Sequence, residues 1–246
     1  MEIKVMTFNI HHGKGTDKKQ ELDRILEVIK SVKADIIGLN EVDKFFSNRS
    51  KFIDQTKYLA RALQMNYAYG PAITIEDRVN NRQKQYGNAL LTRFPIIHST
   101  NHPFDFLPKI IEDRSLLEVT IKAEEQNITA YVAHLSFAPL LHKRQTSFIL
   151  NQMKQKDSPC FVMGDWNMNR RSKSWKLVTN TLKDAWLEAN PSSQGGHTYP
   201  SKKPRMGLDY IFINKGFNAV ESSVINKNAA ASDHLPVTAT LKLLSP

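Results

Sequence analysis

The chain has 246 residues, of which 41% are hydrophobic and 24% charged. This is an ordinary globular composition with ample material for a buried core, and it excludes a disordered chain. Lys and Arg total 34 against 24 Asp and Glu, a formal net charge of +10, which suits a polyanionic partner (nucleic acid, an anionic lipid surface or a phosphorylated small molecule) or solubility alone.

The first ten residues read as a strand over 3–8, broken by polar residues, and not as a signal peptide. Leu22, Ile25, Leu26, Ile29 and Val32 recur at helical spacing. They predict a helix, with Glu21 and Asp23 suited to its first turn. A strand over 35–39, a helix over 52–63 and strands over 87–92, 116–121 and 128–134 follow. Next come a helix over 140–153 and strands over 160–163, 208–213 and 237–243. Pro71, Pro95, Pro103, Pro108, Pro139 and Pro159 punctuate the gaps. Residues 190–207 hold three prolines and three glycines and predict a long surface loop. The lone cysteine, Cys160, excludes an intrachain disulfide, and its apolar neighbours predict a buried, inert thiol. No apolar run approaches the roughly 18–20 residues of a membrane span, so a cytoplasmic soluble protein is expected. With no linker or low-complexity tract, residues 1–246 are expected to form one domain. Adjacent strands in the middle of the chain argue for a mixed α/β sandwich rather than simple βαβ alternation.

The polar residues fall at the ends of these strands. Asn9 closes Val5-Met6-Thr7-Phe8, and Glu41 follows Ile36-Ile37-Gly38-Leu39-Asn40. His134 closes Ala130-Tyr131-Val132-Ala133. Asp165 follows Phe161-Val162-Met163-Gly164, with Asn167 two residues on. One such residue is an ordinary turn or cap; four point to a site assembled on one rim. Asp209 sits inside an apolar run and needs a partner there. Ser232-Asp233-His234 opens the last strand. Taken alone, Asp233 and His234 are a turn residue and a surface histidine. Beside Asp209, His234 reads as an imidazole held in one orientation by a carboxylate.

These residues resemble the metal-dependent endonuclease/exonuclease/phosphatase superfamily. It includes pancreatic-type deoxyribonuclease, abasic-site endonucleases, bacterial sphingomyelinases and inositol-polyphosphate 5-phosphatases. The resemblance rests on Thr7-Phe8-Asn9-Ile10, Leu39-Asn40-Glu41-Val42, Tyr86-Gly87-Asn88-Ala89-Leu90-Leu91, Ala133-His134-Leu135, Gly164-Asp165-Trp166-Asn167, Leu208-Asp209-Tyr210-Ile211 and Ser232-Asp233-His234-Leu235-Pro236-Val237, in that order. Each is weak alone; the ordered set is specific. It implies a four-layered α/β sandwich, two packed mixed β-sheets flanked by helices, and a metal-dependent phosphoester hydrolase.

The resemblance also implies roles. Glu41 would be the principal ligand of Mg2+ (or Mn2+), with Asp233 as acidic neighbour and Asn9 binding the metal or orienting the phosphate. Asp165 would position and deprotonate the attacking water. Asn167 would donate to a phosphate oxygen. His234, oriented by Asp209, would stabilise the transition state. His134 matches the subset of the family with a histidine after this strand, where it contacts phosphate or protonates the leaving group, and it leans away from the abasic-site endonucleases. Arg114 resembles an arginine that reaches the phosphate, and fits a cap or surface ion pair nearly as well.

His11 and His12 suit either a transition metal or a plain loop, and because adjacent strand residues point to opposite faces at most one of them is expected to face the site. His197 lies in the long loop. Arg170, Arg171, Lys173, Lys202, Lys203 and Arg205 read as a nucleic-acid track or as solvated charge. Trp166, Trp175 and Tyr199 would stack on bases or pack inside. A phosphodiester is the expected substrate, with DNA or RNA foremost. A lipid headgroup comes next, then a phosphomonoester such as an inositol phosphate or a nucleotide. A non-catalytic scaffold on the same fold is the fourth reading, and the sequence names no protein partner.

Overall fold

The computed structural model describes residues 1–104, 113–193 and 195–244. The expected turn at Pro108 lies outside them. The strands in chain order are β1 (Glu2–Asn9), β2 (Ile36–Lys44), β3 (Asn66–Asp77), β4 (Arg82–Thr92), β5 (Ile96–Pro103), β6 (Ser115–Ala123), β7 (Gln126–His134), β8 (Cys160–Asp165), β9 (Lys183–Asp184), β10 (Asp209–Ile213), β11 (Phe217–Val224) and β12 (Val237–Leu243). The helices are α1 (Leu22–Val32), α2 (Gln55–Leu63), α3 (Pro139–Lys154), α4 (Lys173–Thr179) and α5 (Ala185–Ala189).

Alternation of side chains along each strand sets the layers. In β1, Ile3 and Val5 turn one way, Met6 and Phe8 the other. The first pair joins a core between two sheets, with Val132, Phe161, Met163 and Ile211 from the opposite side. The second pair packs under α1 and α2 beside Ile25, Ile29 and Leu59. On the far sheet Tyr131, Val162 and Phe212 face outward, against Ile149 of α3 and Val178 of α4. The result is helix, sheet, sheet, helix: the expected four-layered sandwich of two mixed sheets. Cys160 is buried within it, and burial pushes its thiol up to about 12. Among the described residues no helix is long and apolar enough to cross a membrane.

The first sheet runs β11-β12-β1-β2-β4-β3 and the second β5-β6-β7-β8-β10-β9. The eight strands read from the sequence are the eight inner ones. The four it omits, β3, β5, β9 and β11, are the four edges. An edge strand meets solvent on one side and needs no continuous apolar run. Pro71 and Pro103, taken as punctuation, lie within β3 and β5, where an edge tolerates a residue without an N–H. The second helix begins at Gln55, not 52, because Lys51 and Phe52 have left-handed backbones and the Asp54 side chain caps it by accepting from Lys57 N–H (2.9 Å). The described residues of 190–207 form the expected loop, closed by a bridge between Tyr199 and Met206.

Register then places the strand ends. In the parallel pair β1–β2, Asn9 lies opposite Asn40. In the parallel pair β7–β8, His134 lies opposite Asp165, and on the next strand Asp209 lies opposite Asp165. Three site residues thus stand side by side at one end of the second sheet. Two buried amides tie that end to the first sheet. Asn40 donates to Asn88 Oδ1 (2.8 Å) and to Ala133 C=O (3.0 Å), and it accepts from Asp165 N–H (2.9 Å). Asn88 donates to Ser115 C=O (2.9 Å).

Gly164 is needed for this placement. Its φ is +146°, and a Cβ there would sit 1.8 Å from Ala133 C=O. Gly164→Ala must therefore part β7 from β8 beside Asp165. We expect a loss of more than ~2 kcal/mol in denaturant unfolding. An unchanged unfolding midpoint would show that the strand pair accommodates the methyl group.

Candidate active site

The strand ends open into a cavity of about 670 Å3 whose walls include Glu41, Arg114, His134, Asp165, Asn167, Asp233 and His234. Strained backbone aims several of these groups inward. A bulge between Leu39 and Val42 carries Glu41 at φ +59°, and Asn167, His11 and His12 have φ of +48°, +45° and +44°. Non-glycine residues held in the left-handed region cost energy and gather where the surrounding structure imposes a function.

Asp165 is the hub. Its Oδ1 accepts from Asn167 N–H (3.0 Å) and its Oδ2 from Asn9 Nδ2 (3.1 Å). The same Oδ2 faces Nε2 of His134 at 3.5 Å and Nε2 of His234 at 3.7 Å. Burial pushes this carboxyl up to about 7; His234 opposes that rise, and the nearby Asp209 charge adds to it.

The two histidines differ in charge. His234 Nδ1 meets Asp209 Oδ2 at 2.9 Å, the pairing expected from the sequence. Burial works against a proton on His234. The Asp209 and Asp165 carboxylates outweigh it and raise the imidazole to about 10. His134 has the opposite surroundings. Arg114 donates to its Nδ1 (2.8 Å). A guanidinium only donates, so that nitrogen must accept and the ring proton sits on Nε2, facing Asp165. Burial, then the Arg114 charge, holds His134 well below its ordinary value. It is a neutral donor at physiological pH, which suits contact with phosphate better than protonation of a leaving group.

Two amides are engaged within the protein. The Asn9 nitrogen donates to Glu41 Oε1 (3.0 Å) as well as to Asp165, while its oxygen accepts from His11 N–H (3.1 Å). Asn9 thus holds two carboxylates in register and turns its oxygen to the following turn. The Asn167 nitrogen donates to Leu135 C=O (2.8 Å), which leaves one N–H for a ligand. Asp233 approaches His11 Nδ1 at 3.4 Å.

The surface residues separate into two groups. Arg171, Lys173, Lys202, Lys203 and Arg205 are exposed. Arg170 is not part of such a track: it donates to Asp184 Oδ2 (3.0 Å) and Gly195 C=O (2.7 Å) and lies over Trp186 and Tyr210. Trp166 is fully buried, and Trp175 donates its Nε1–H to Asp184. Only Tyr199 of the three aromatics lines the cavity, 4.8 Å from the His234 ring. His197 is exposed.

Sequence reasoning missed Arg49 and Phe137, both on the cavity wall. Arg49 grips the fully buried Asp43 with two bonds (2.9 and 2.7 Å) and rests over Phe46. The one available signal was Asp43 itself, a carboxylate in an apolar strand that needs a cation. Phe137 is 72% exposed and carries no signal beyond its place after His134.

Comparison with known proteins agrees with this geometry. The Escherichia coli (strain K12) protein YbhP is 24% identical over 98% of this chain and 96% of its own. An endonuclease/exonuclease/phosphatase from Beutenbergia cavernae superposes with a TM-score of 0.82 at 22% identity, over 98% of this chain and 72% of that one. A mannosyl-6-phosphatase from Bacteroides thetaiotaomicron superposes with a TM-score of 0.75 at 18% identity, over 98% of this chain and all of that one. Residues 6–234, nearly the whole chain, match the Endonuclease/Exonuclease/phosphatase family, and the protein belongs to it.

Proposed function

We propose that the protein hydrolyses a phosphodiester with the help of a divalent ion, Mg2+ or Mn2+, and that nucleic acid is the substrate class. Family membership supports a metal-dependent phosphoester hydrolase. The observation that carries the chemistry is the buried Asp165 carboxylate, set between the Nε2 atoms of a neutral and a charged imidazole.

The half-buried Glu41 carboxylate shares the cavity wall with Asp233 and fits an oxygen-seeking cation. A metal ion there would polarise a phosphoryl oxygen as a Lewis acid. Asp165 orients a water and takes its proton, with Asn9 and Asn167 fixing the carboxylate. His234, charged and braced by Asp209, donates through Nε2 to the phosphoryl oxygens as negative charge grows there. His134 donates through its own Nε2–H, and Arg114 holds it in that tautomer. Positioning and preorganised charge account for the rate in this scheme.

The exposed basic residues support a long polyanion, with Arg171, Lys173, Lys202, Lys203 and Arg205 as its track. Cleavage of plasmid DNA and RNA, against bis-p-nitrophenyl phosphate, sphingomyelin and sugar or inositol phosphates, tests the class. Binding of the long substrate should weaken steeply with salt. Replacing Lys202, Lys203 and Arg205 with glutamate should flatten the log–log salt slope by roughly 2 to 3 and spare the small diester. Equal loss on both substrates would mean that the loop shapes the pocket instead. Turnover of only a small monoester, or of a zwitterionic lipid without salt dependence, would overturn the nucleic-acid reading.

A further inference from the structure

The turn after β1 puts two adjacent histidines on the cavity wall. On a strand they would point to opposite faces. Here both backbones are left-handed, and both rings reach the same place, edge to face at 4.6 Å between centroids. A ligand atom from each of His11, His12 and Glu41 lies within 4.8 Å of the others. His12 is more than nine-tenths buried, and among the described residues its Nδ1 has no hydrogen-bond partner; nor does His11 Nδ1, which faces Asp233. A buried ring nitrogen without a partner is costly unless a ligand meets it. Gln20 and Gln55 both donate to His12 C=O, fixing the turn that presents the rings.

We propose that His11, His12 and Glu41 form a mixed nitrogen–oxygen centre that selects Mn2+ and heavier first-row divalent ions over Mg2+. The proposal rests on Glu41 as metal ligand and narrows the ion. Mg2+ is hard and takes oxygen, whereas imidazole nitrogen suits the transition ions. Two imidazoles and one carboxylate leave positions open for water and substrate, as in catalytic zinc sites. Metal–ligand bonds of about 2.1 Å require the three donors to draw together by about 1 Å, within reach of side-chain rotation. Asp233, beside His11, is placed to add a second carboxylate.

The test is made on metal-free protein, with binding as the readout. Mn2+ is titrated by the loss of its free electron paramagnetic resonance signal, and Mg2+ by calorimetry. Pulsed resonance on the Mn2+-loaded protein reports directly bonded imidazole nitrogen. We expect Mn2+ to bind at least about tenfold more tightly than Mg2+, with nitrogen coupling present. The double variant His11→Asn/His12→Asn keeps residues that tolerate a left-handed backbone. It should lose the coupling and about tenfold or more in Mn2+ affinity, while Mg2+ affinity changes less than about twofold. Absent nitrogen coupling in the unsubstituted protein overturns the proposal even if the double variant fails to fold. So does an equal loss of Mn2+ and Mg2+ affinity in a folded variant. The hydrolase reading fails separately: nitrogen coupling without turnover of any phosphoester would keep this site and refute that activity. Unchanged Mn2+ affinity in Glu41→Gln would remove the ligand on which both rest.

Discussion

Asp165→Asn should lower turnover by orders of magnitude and at the same time make the metal-free protein relatively more stable as pH rises. A general base at the reacting centre contributes about 10²- to 10⁴-fold, and an amide cannot take the proton, so kcat should fall by about that factor. The stability effect follows from linkage. Burial raises the Asp165 carboxyl to about 7, above its ordinary 3.8. The folded state therefore holds a proton that the unfolded chain releases. The group costs nothing below about pH 4, and its cost grows as pH climbs to 7 and then levels off. An asparagine carries no such cost. The difference in Tm between variant and parent, measured in chelator, should thus move in the variant's favour between pH 4 and pH 8. Loss of the Asn9 hydrogen bond shifts that difference by a constant and leaves its pH dependence intact. A pH-independent difference would mean that Asp165 ionises normally in the fold. Retained turnover would remove Asp165 as the base.

That Asp165 costs stability could not be seen in the sequence, although its place at a strand end could. The apolar run before it, with Asn167 two residues after it, marked the end of a strand. The inner strands were equally legible, because a strand buried on both faces must be apolar nearly throughout, as Phe161-Val162-Met163 is. Edge strands escaped for the complementary reason: β5 carries Ser99, Thr100, Asn101 and His102 and needs no more apolar surface than β6 covers. The short α4 and α5, of seven and five residues, escaped because neither is long enough to repeat the helical spacing, and Trp175 of α4 read as a candidate for stacking. Positions within the site were less legible than membership of it. Asn9 stood out as a polar strand end, yet the sequence cannot say which side of its amide faces Glu41. Asn40 and Asn88 lay inside recognised motifs with no role assigned, and they join the two sheets behind Asp165. His11 and His12 could be judged only by strand periodicity, which fails here because the turn has left-handed backbone at both. Arg170 looked like its basic neighbours, and only the fold shows it committed to Asp184.

Asp209→Asn should lower kcat by about 10²- to 10⁴-fold at alkaline pH and shift the alkaline limb of the pH profile toward acid. In the unsubstituted protein the productive state needs Asp165 without its proton and His234 with one. With these groups at about 7 and about 10, activity should rise through neutrality and fall in the alkaline range. Asp209 acts on both limbs. It is the strongest pull holding a proton on His234, and its charge also raises Asp165. An asparagine can still accept from His234 Nδ1 but brings no charge. The imidazole then drops toward its ordinary 6.5, while Asp165 loses the Asp209 charge that raises it together with the His234 charge that lowers it, and those two losses oppose each other. The variant should work best at lower pH than its parent and lose most at high pH, where His234 is neutral. The stability sign agrees. A histidine raised in the fold stabilises fully below about pH 6.5, and that contribution is lost as pH rises through 10. The variant should therefore show less alkaline loss of Tm than its parent. Profiles of kcat/KM and Tm between pH 5 and 11 test both statements. A uniform drop at every pH, with neither limb moved, would make Asp209 a packing element and leave His234 charged for some other reason. An unchanged kcat would remove the pair from the reaction, leaving His134 and Asn167 as the side chains that meet the phosphoryl group.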